Sequence, residues 1–162
     1  MSSVRVLVVD DSLTVREVER QLLKVQGYEV DVAVDGRDGW TALSSGHYDL
    51  LVTDVDMPRM NGMDAIREIK KENPNVRILV LTVHKSDEFI SAALDAGADG
   101  YVLKDACRSE LMLAVKSVLE GKNYISPGIT ENIIQGYLGS QTARPRTLAE
   151  CLTHREREIL KL

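Results

Sequence analysis

Short, mostly apolar runs alternate with stretches of helical periodicity along most of the chain, and that alternation limits the fold more than any other feature. Residues 4–9 are rich in valine and end on Asp10 and Asp11. Residues 28–34 alternate apolar and polar. Residues 49–53, 76–82 and 100–103 are again short and mostly apolar. Runs of this length, bounded by acids and glycines, predict strands. Between them, apolar residues recur at helical spacing. Val15, Val18, Leu22 and Val25 predict a first helix, capped by Ser12 and closed at Gly27. Residues 37–45 predict a second, ending at Gly46. Ile66 and Ile69 mark a third, stopped by Asn73-Pro74. Phe89, Ile90, Ala93 and Leu94 mark a fourth, ending at Gly97. Leu111, Val115, Val118 and Leu119 mark a fifth, ending near Gly121.

Strict strand–helix alternation predicts an α/β fold, a parallel sheet with helices on both faces. Right-handed crossovers leave few topologies. The flavodoxin-like (βα)5 three-layer sandwich, with strand order 2-1-3-4-5, sets strands one and three side by side. Asp10 and Asp11 would then meet Asp54, the residue that follows Leu50-Leu51-Val52-Thr53. In such sheets ligands bind beyond the carboxyl ends of the strands, where strand order reverses. A carboxylate cluster there suits a hard divalent cation and a transferable phosphoryl group.

Composition narrows the classes. An apolar content of 44% supports a packed core. A net charge of −5 argues against a dominant nucleic-acid surface within these residues. Cys107 and Cys151 are the only cysteines and form no CxxC, so reduced thiols are expected. The segment Met1-Ser2-Ser3-Val4-Arg5 does not resemble a signal peptide, and no apolar run is long enough to span a bilayer. A cytoplasmic protein with no membrane partner is expected. No GxGxxG or Walker loop is present, and His47, His84 and His154 lack the spacing of metal ligands. Trp40 reads as a packing residue on the second helix.

Five motifs, in order and spacing, now carry a resemblance: Val8-Val9-Asp10-Asp11; Asp54; Met57-Pro58 with Gly62; Thr82; and Tyr101-Val102-Leu103-Lys104. Together they resemble the receiver domain of two-component response regulators over roughly residues 4–121. The resemblance implies that Asp54 accepts a phosphoryl group from a phosphohistidine on a sensor histidine kinase. It implies Mg²⁺ as cofactor, held by Asp11 and Asp54 directly, by the backbone carbonyl of Asp56, and by Asp10 through water. Lys104 would supply a second positive charge and Thr82 a hydroxyl to the phosphoryl group. Movement of Thr82 would open space into which Tyr101 turns, a switch toward the face of helix four, strand five and helix five. Asp56 and His84, two residues past Asp54 and Thr82, would tune the lifetime of the phosphorylated state. On this reading the chain is a signalling switch and not an enzyme. The family often has proline after the lysine; here Asp105 follows Lys104, which leaves that peptide's isomer open and offers Asp105 as cap of helix five.

Beyond Gly121 the composition changes. Residues 122–150 predict a linker with a short helix within 129–138. Residues 151–162 predict the start of another helix, with Thr153 as cap, and Leu152-Thr153-His154-Arg155-Glu156-Arg157-Glu158-Ile159-Leu160 resembles the opening of a LuxR-type helix-turn-helix domain. The resemblance implies transcription regulation through DNA, by parts of that domain outside these residues. Ile125-Ser126-Pro127 also fits that subfamily. Residues 5–62 look most like receivers fused to chemotaxis-type hybrid kinases, whereas residues 63–135 look like NarL-type regulators, so a recombinant seam near residues 61–63 is expected. Homodimers of such receivers pair through helices one and five or through the helix-four to helix-five face; both stay open. Two other functions stay open. Asp54-Val55-Asp56 also resembles the nucleophile motif of haloacid-dehalogenase-like phosphohydrolases, and the same fold can serve as a docking module without phosphorylation.

Overall fold

In a computed structural model, the described residues are 3–55, 62–127 and 129. Strands and helices alternate as β1 (Arg5–Val9), α1 (Leu13–Val25), β2 (Glu29–Ala33), α2 (Gly36–Ser45), β3 (Leu50–Thr53), α3 (Gly62–Glu72), β4 (Arg77–Thr82), α4 (Asp87–Ala96), β5 (Gly100–Leu103), α5 (Arg108–Leu119) and β6 (Tyr124–Ile125). The sheet is parallel throughout, in the order β2-β1-β3-β4-β5-β6. This is the flavodoxin-like sandwich expected, extended by one strand: Tyr124 and Ile125, expected in the linker, pair with Gly100 and Tyr101. The loop expected over residues 57–62 (all but Gly62), the helix expected within 129–138 (all but Ile129) and the helix capped by Thr153 lie outside the described residues.

Alternation along each buried strand divides the core in two. Val6 and Val8 of β1 join Leu50, Val52, Leu79, Leu111, Val115 and Val118 on the side of α1 and α5. Leu7 and Val9 join Leu51, Ile66, Ile69, Ile78, Val80, Ile90 and Leu94 on the side of α2, α3 and α4. Both strand faces are covered, which is why the central runs are apolar without interruption. Each fully buried aliphatic side chain contributes about 1.5–3 kcal/mol, so the central strands anchor the fold.

Local signals set the helix ends. The Ser12 hydroxyl accepts the Val15 N–H at 3.4 Å, and the Asp35 carboxylate accepts the Asp38 N–H at 2.9 Å. α4 ends at Gly97, whose φ of +121° strains any other residue. The inward face of α1 differs from the one expected. Val18 and Val25 are 53% and 82% exposed, whereas Glu19 and Leu23 are buried. The apolar residues of this helix cover more than one face, and the packed stripe runs through an acid that patterning alone assigns to solvent. Asp105 does not cap α5. Cys107 stands at that position without a side-chain capping hydrogen bond, and Asp105 instead lies 3.8 Å from the Lys85 ammonium. All peptide bonds among the described residues are trans, including the bond between Lys104 and Asp105. No helix among the described residues is long and apolar enough to cross a membrane.

Candidate functional site

Register carries the acids to one place. Val9 of β1 pairs with Thr53 of β3, so the next residues, Asp10 and Asp54, leave adjacent strands at the same level. Their backbones stay tied to the sheet, with the Asp54 N–H on the Val9 carbonyl and the Asp10 N–H on the Ala33 carbonyl, both at 3.2 Å. Thr82 pairs with Leu103 across β4 and β5, and the Lys104 N–H donates to the Thr82 carbonyl at 2.8 Å. The sheet thus delivers Asp10, Asp54, Thr82 and Lys104 from four strands to its carboxyl edge.

The carboxylates of Asp10, Asp11 and Asp54 each offer an oxygen within 4.8 Å of the others. Asp10 and Asp54 are buried, and Asp11 is exposed. The Lys104 ammonium lies between the buried pair, 2.9 Å from Asp10 Oδ2 and 2.8 Å from Asp54 Oδ2. Burial works against the charged Lys104, but the hydrogen bonds it donates to Asp54 and Asp10, and the charges of those carboxylates, outweigh it and hold its pKa above the ordinary lysine value. The second oxygens are also held: Asp10 Oδ1 accepts the Ser12 N–H at 2.9 Å, and Asp54 Oδ1 accepts the Val55 N–H at 2.6 Å. Arg16 Nη1 donates to the Asp10 carbonyl at 2.8 Å. Both carboxylates are therefore oriented before any ligand arrives.

Three oxygen donors of one charge, close together and with one side open at Asp11, suit a hard divalent cation and offer nothing to a soft one. The residues fit Mg²⁺. Asp56, expected to supply a carbonyl ligand and to tune lifetime, lies outside the described residues.

Thr82 is fully buried, and its hydroxyl oxygen accepts the His84 N–H at 3.3 Å. Tyr101 was expected to turn into space left by Thr82. In this structure its ring is already inside, 0% exposed, and its hydroxyl donates to the His84 carbonyl at 2.9 Å. The His84 ring stacks on Phe89 of α4. His84 thus links Thr82, Tyr101 and α4.

One charged neighbour escaped the sequence reading. Glu19 of α1 is 5% exposed, and its Oε1 has no hydrogen-bond partner among the described residues. Burial pushes its carboxyl up to about 8, helped by the charge of Asp10 and opposed by Lys104. The only signal in the sequence was its place between Val15 and Leu23, each four residues away, on one helical face.

The family model for the response regulator receiver domain matches residues 6–116. The transcriptional regulatory protein DegU of Brevibacillus brevis is 31% identical over 99% of this chain and 75% of its own length. Response regulator MprA of Mycolicibacterium vanbaalenii is 40% identical over 72% of this chain and 50% of its own, so the chain spans about half of that relative. Among solved structures, a LuxR-family two-component response regulator from Aurantimonas superposes with a TM-score of 0.80 at 33% identity, covering 85% of this chain and 99% of that one. The response regulator TrrA of Thermotoga maritima, solved with Mg²⁺ and beryllofluoride, gives 0.66 at 36% identity over 71% of this chain and 98% of that one.

Proposed function

The chain belongs to the response regulator receiver family, and from that premise we propose that Asp54 is the residue that takes up the phosphoryl group. The observation that carries the assignment is the pair of buried carboxylates, Asp10 and Asp54, held around one ammonium at 2.9 and 2.8 Å. Asp54 follows β3, with Oδ1 accepting the Val55 N–H and Oδ2 accepting from the Lys104 ammonium. In the transfer, an Asp54 oxygen bonds to phosphorus as the phosphorus–nitrogen bond of the donor phosphohistidine breaks. The bonding electrons return to the imidazole, which a solvent proton neutralises. Asp10, Asp11 and Asp54, with the carbonyl of Asp56, are the residues that hold Mg²⁺. Mg²⁺ held there would neutralise charge on the oxygens of the transferring group. Lys104, already on Asp54 Oδ2, is placed to follow the phosphoryl oxygens as a compact point charge. Thr82 and Tyr101 pass the change to the β4–α4 loop, and Asp56 and His84 set the lifetime of the phosphorylated state.

The phosphodonor is a sensor histidine kinase, and two copies of the chain pair when phosphorylated. The output is transcription, in line with the DegU relative and the LuxR-family neighbour. DNA is reached through sequence that follows the receiver, beginning at residues 151–162. The chain serves as a switch whose chemistry is limited to its own phosphorylation and dephosphorylation. Incubation with acetyl phosphate and Mg²⁺, read by intact mass, tests the assignment: the chain gains one acid-labile phosphoryl group and Asp54→Asn gains none. Steady release of phosphate from a monoester, without a lasting mass gain, would favour a hydrolase.

A further inference from the structure

We propose that Phe89 is a positioning residue for the chemistry at Asp54, acting through a face-to-face stack on His84 that fixes the β4–α4 loop in its closed form. The inference rests on the phosphoacceptor reading and adds a residue outside the acidic pocket.

Most of the loop between β4 and α4 is exposed. Val83 is 66% exposed, and Lys85 and Ser86 are exposed; His84 alone in that loop is half-buried. The loop's shape therefore depends on what His84 touches. Its ring lies 4.0 Å from the Phe89 ring, centroid to centroid, with planes 7° apart. Planes this nearly parallel at that separation make a stacked aromatic contact, which contributes beyond the area it buries. Phe89 is fixed in turn. Its N–H donates to Ser86 Oγ at 3.4 Å, and its ring packs against the core on the α4 side.

The two backbone groups of His84 carry the switch. Its N–H is on Thr82 Oγ1 at 3.3 Å, and its carbonyl accepts the Tyr101 hydroxyl at 2.9 Å. The side chain held by Phe89 and the peptide groups read by Thr82 and Tyr101 share one Cα. A loop that swings away from Phe89 carries the His84 carbonyl away from Tyr101 and the His84 N–H away from Thr82. The stack thus favours the state in which Tyr101 is inside and Thr82 is oriented, and on the phosphoacceptor reading a phosphoryl group or its mimic binds that state more tightly. Removing it lowers the population of that form, and the apparent affinity for the mimic falls by the same factor.

An aromatic pair of this kind shifts a two-state balance by roughly two- to tenfold. The test is titration of beryllofluoride into the Mg²⁺-loaded chain, followed by the fluorine resonance of the bound mimic. A Mg²⁺ titration is run separately. Phe89→Leu keeps an apolar side chain in the core and removes the stack; Phe89→Tyr keeps the stack. Phe89→Leu is expected to weaken beryllofluoride binding two- to tenfold and leave Mg²⁺ affinity unchanged, with Phe89→Tyr matching the parent. Equal binding by Phe89→Leu and the parent overturns the proposal. So does an equal loss of Mg²⁺ affinity, or a Phe89→Tyr variant as weak as Phe89→Leu. A parent chain that fails to bind beryllofluoride at all takes the phosphoacceptor reading down with it.

Discussion

Glu19 offers a quantitative test of how the site is buried. Its side chain on α1 is 5% exposed, with Oε1 unpartnered among the described residues. In the unfolded chain it titrates near the ordinary value of 4.5; in the native chain burial first, and the Asp10 charge second, raise it to about 8. The native state therefore holds the proton more tightly than the unfolded state. The associated stability is fully present below the unfolded value and is lost as pH rises through the native one. Each pH unit inside that window removes up to about 1.4 kcal/mol. Integrated from about pH 5 to about pH 8, the loss is about 3 kcal/mol. Glu19→Gln keeps the volume and removes the titration. Urea unfolding of both proteins at the two pH values isolates the Glu19 contribution, because every other titrating group is common to both. The parent should lose about 3 kcal/mol more than the variant on going to the higher pH. Parallel pH profiles would refute the reasoning, since they would mean that the carboxyl is hydrated or paired in the native protein.

Three further outcomes follow from the packing and the charges. Asp99 is buried at the amino end of β5, where it accepts the Ile78 N–H at 2.9 Å and the Lys70 ammonium at 3.2 Å and sits 3.4 Å from Arg77; Asp99→Ala should cost about 3 kcal/mol in urea unfolding. A Cβ at Gly100 would meet Leu79 Cδ1 at 2.7 Å and Val118 Cγ2 at 3.0 Å, so Gly100→Ala should cost about 1–3 kcal/mol by thermal or urea unfolding. Lys104→Met removes the cation between Asp10 and Asp54; calorimetric titration should show tighter Mg²⁺ binding than in the parent, while acetyl phosphate labelling slows.

Particular residues explain which parts of the molecule were legible in the sequence. The central strands were clear because both of their faces are covered, so Val6 to Val9 and Ile78 to Leu81 appear as unbroken apolar runs. The acidic pocket was clear because a parallel sheet fixes the ends of its strands. Once β1 and β3 are neighbours, Asp10 and Asp54 must meet. Helix α1 was harder. Its apolar residues span more than one face, and the choice between faces is made by the sheet beneath it, which buries Glu19 and exposes Val18 and Val25. β6 was missed because Tyr124 and Ile125 pair through backbone alone, and two residues carry no periodicity. The inward position of Tyr101 was not readable either. Its hydroxyl is held by a loop carbonyl of His84, a contact that no side-chain pattern encodes.

The central claim is that one carboxylate of the acidic pocket, Asp54, receives the phosphoryl group. Borohydride reduction of the chain after treatment with acetyl phosphate and Mg²⁺, followed by peptide mass mapping, tests it most directly. The account predicts reduction of Asp54 to homoserine and of no other acid. Homoserine at position 10 or 11, or none anywhere in a chain that had gained phosphoryl mass, would contradict it.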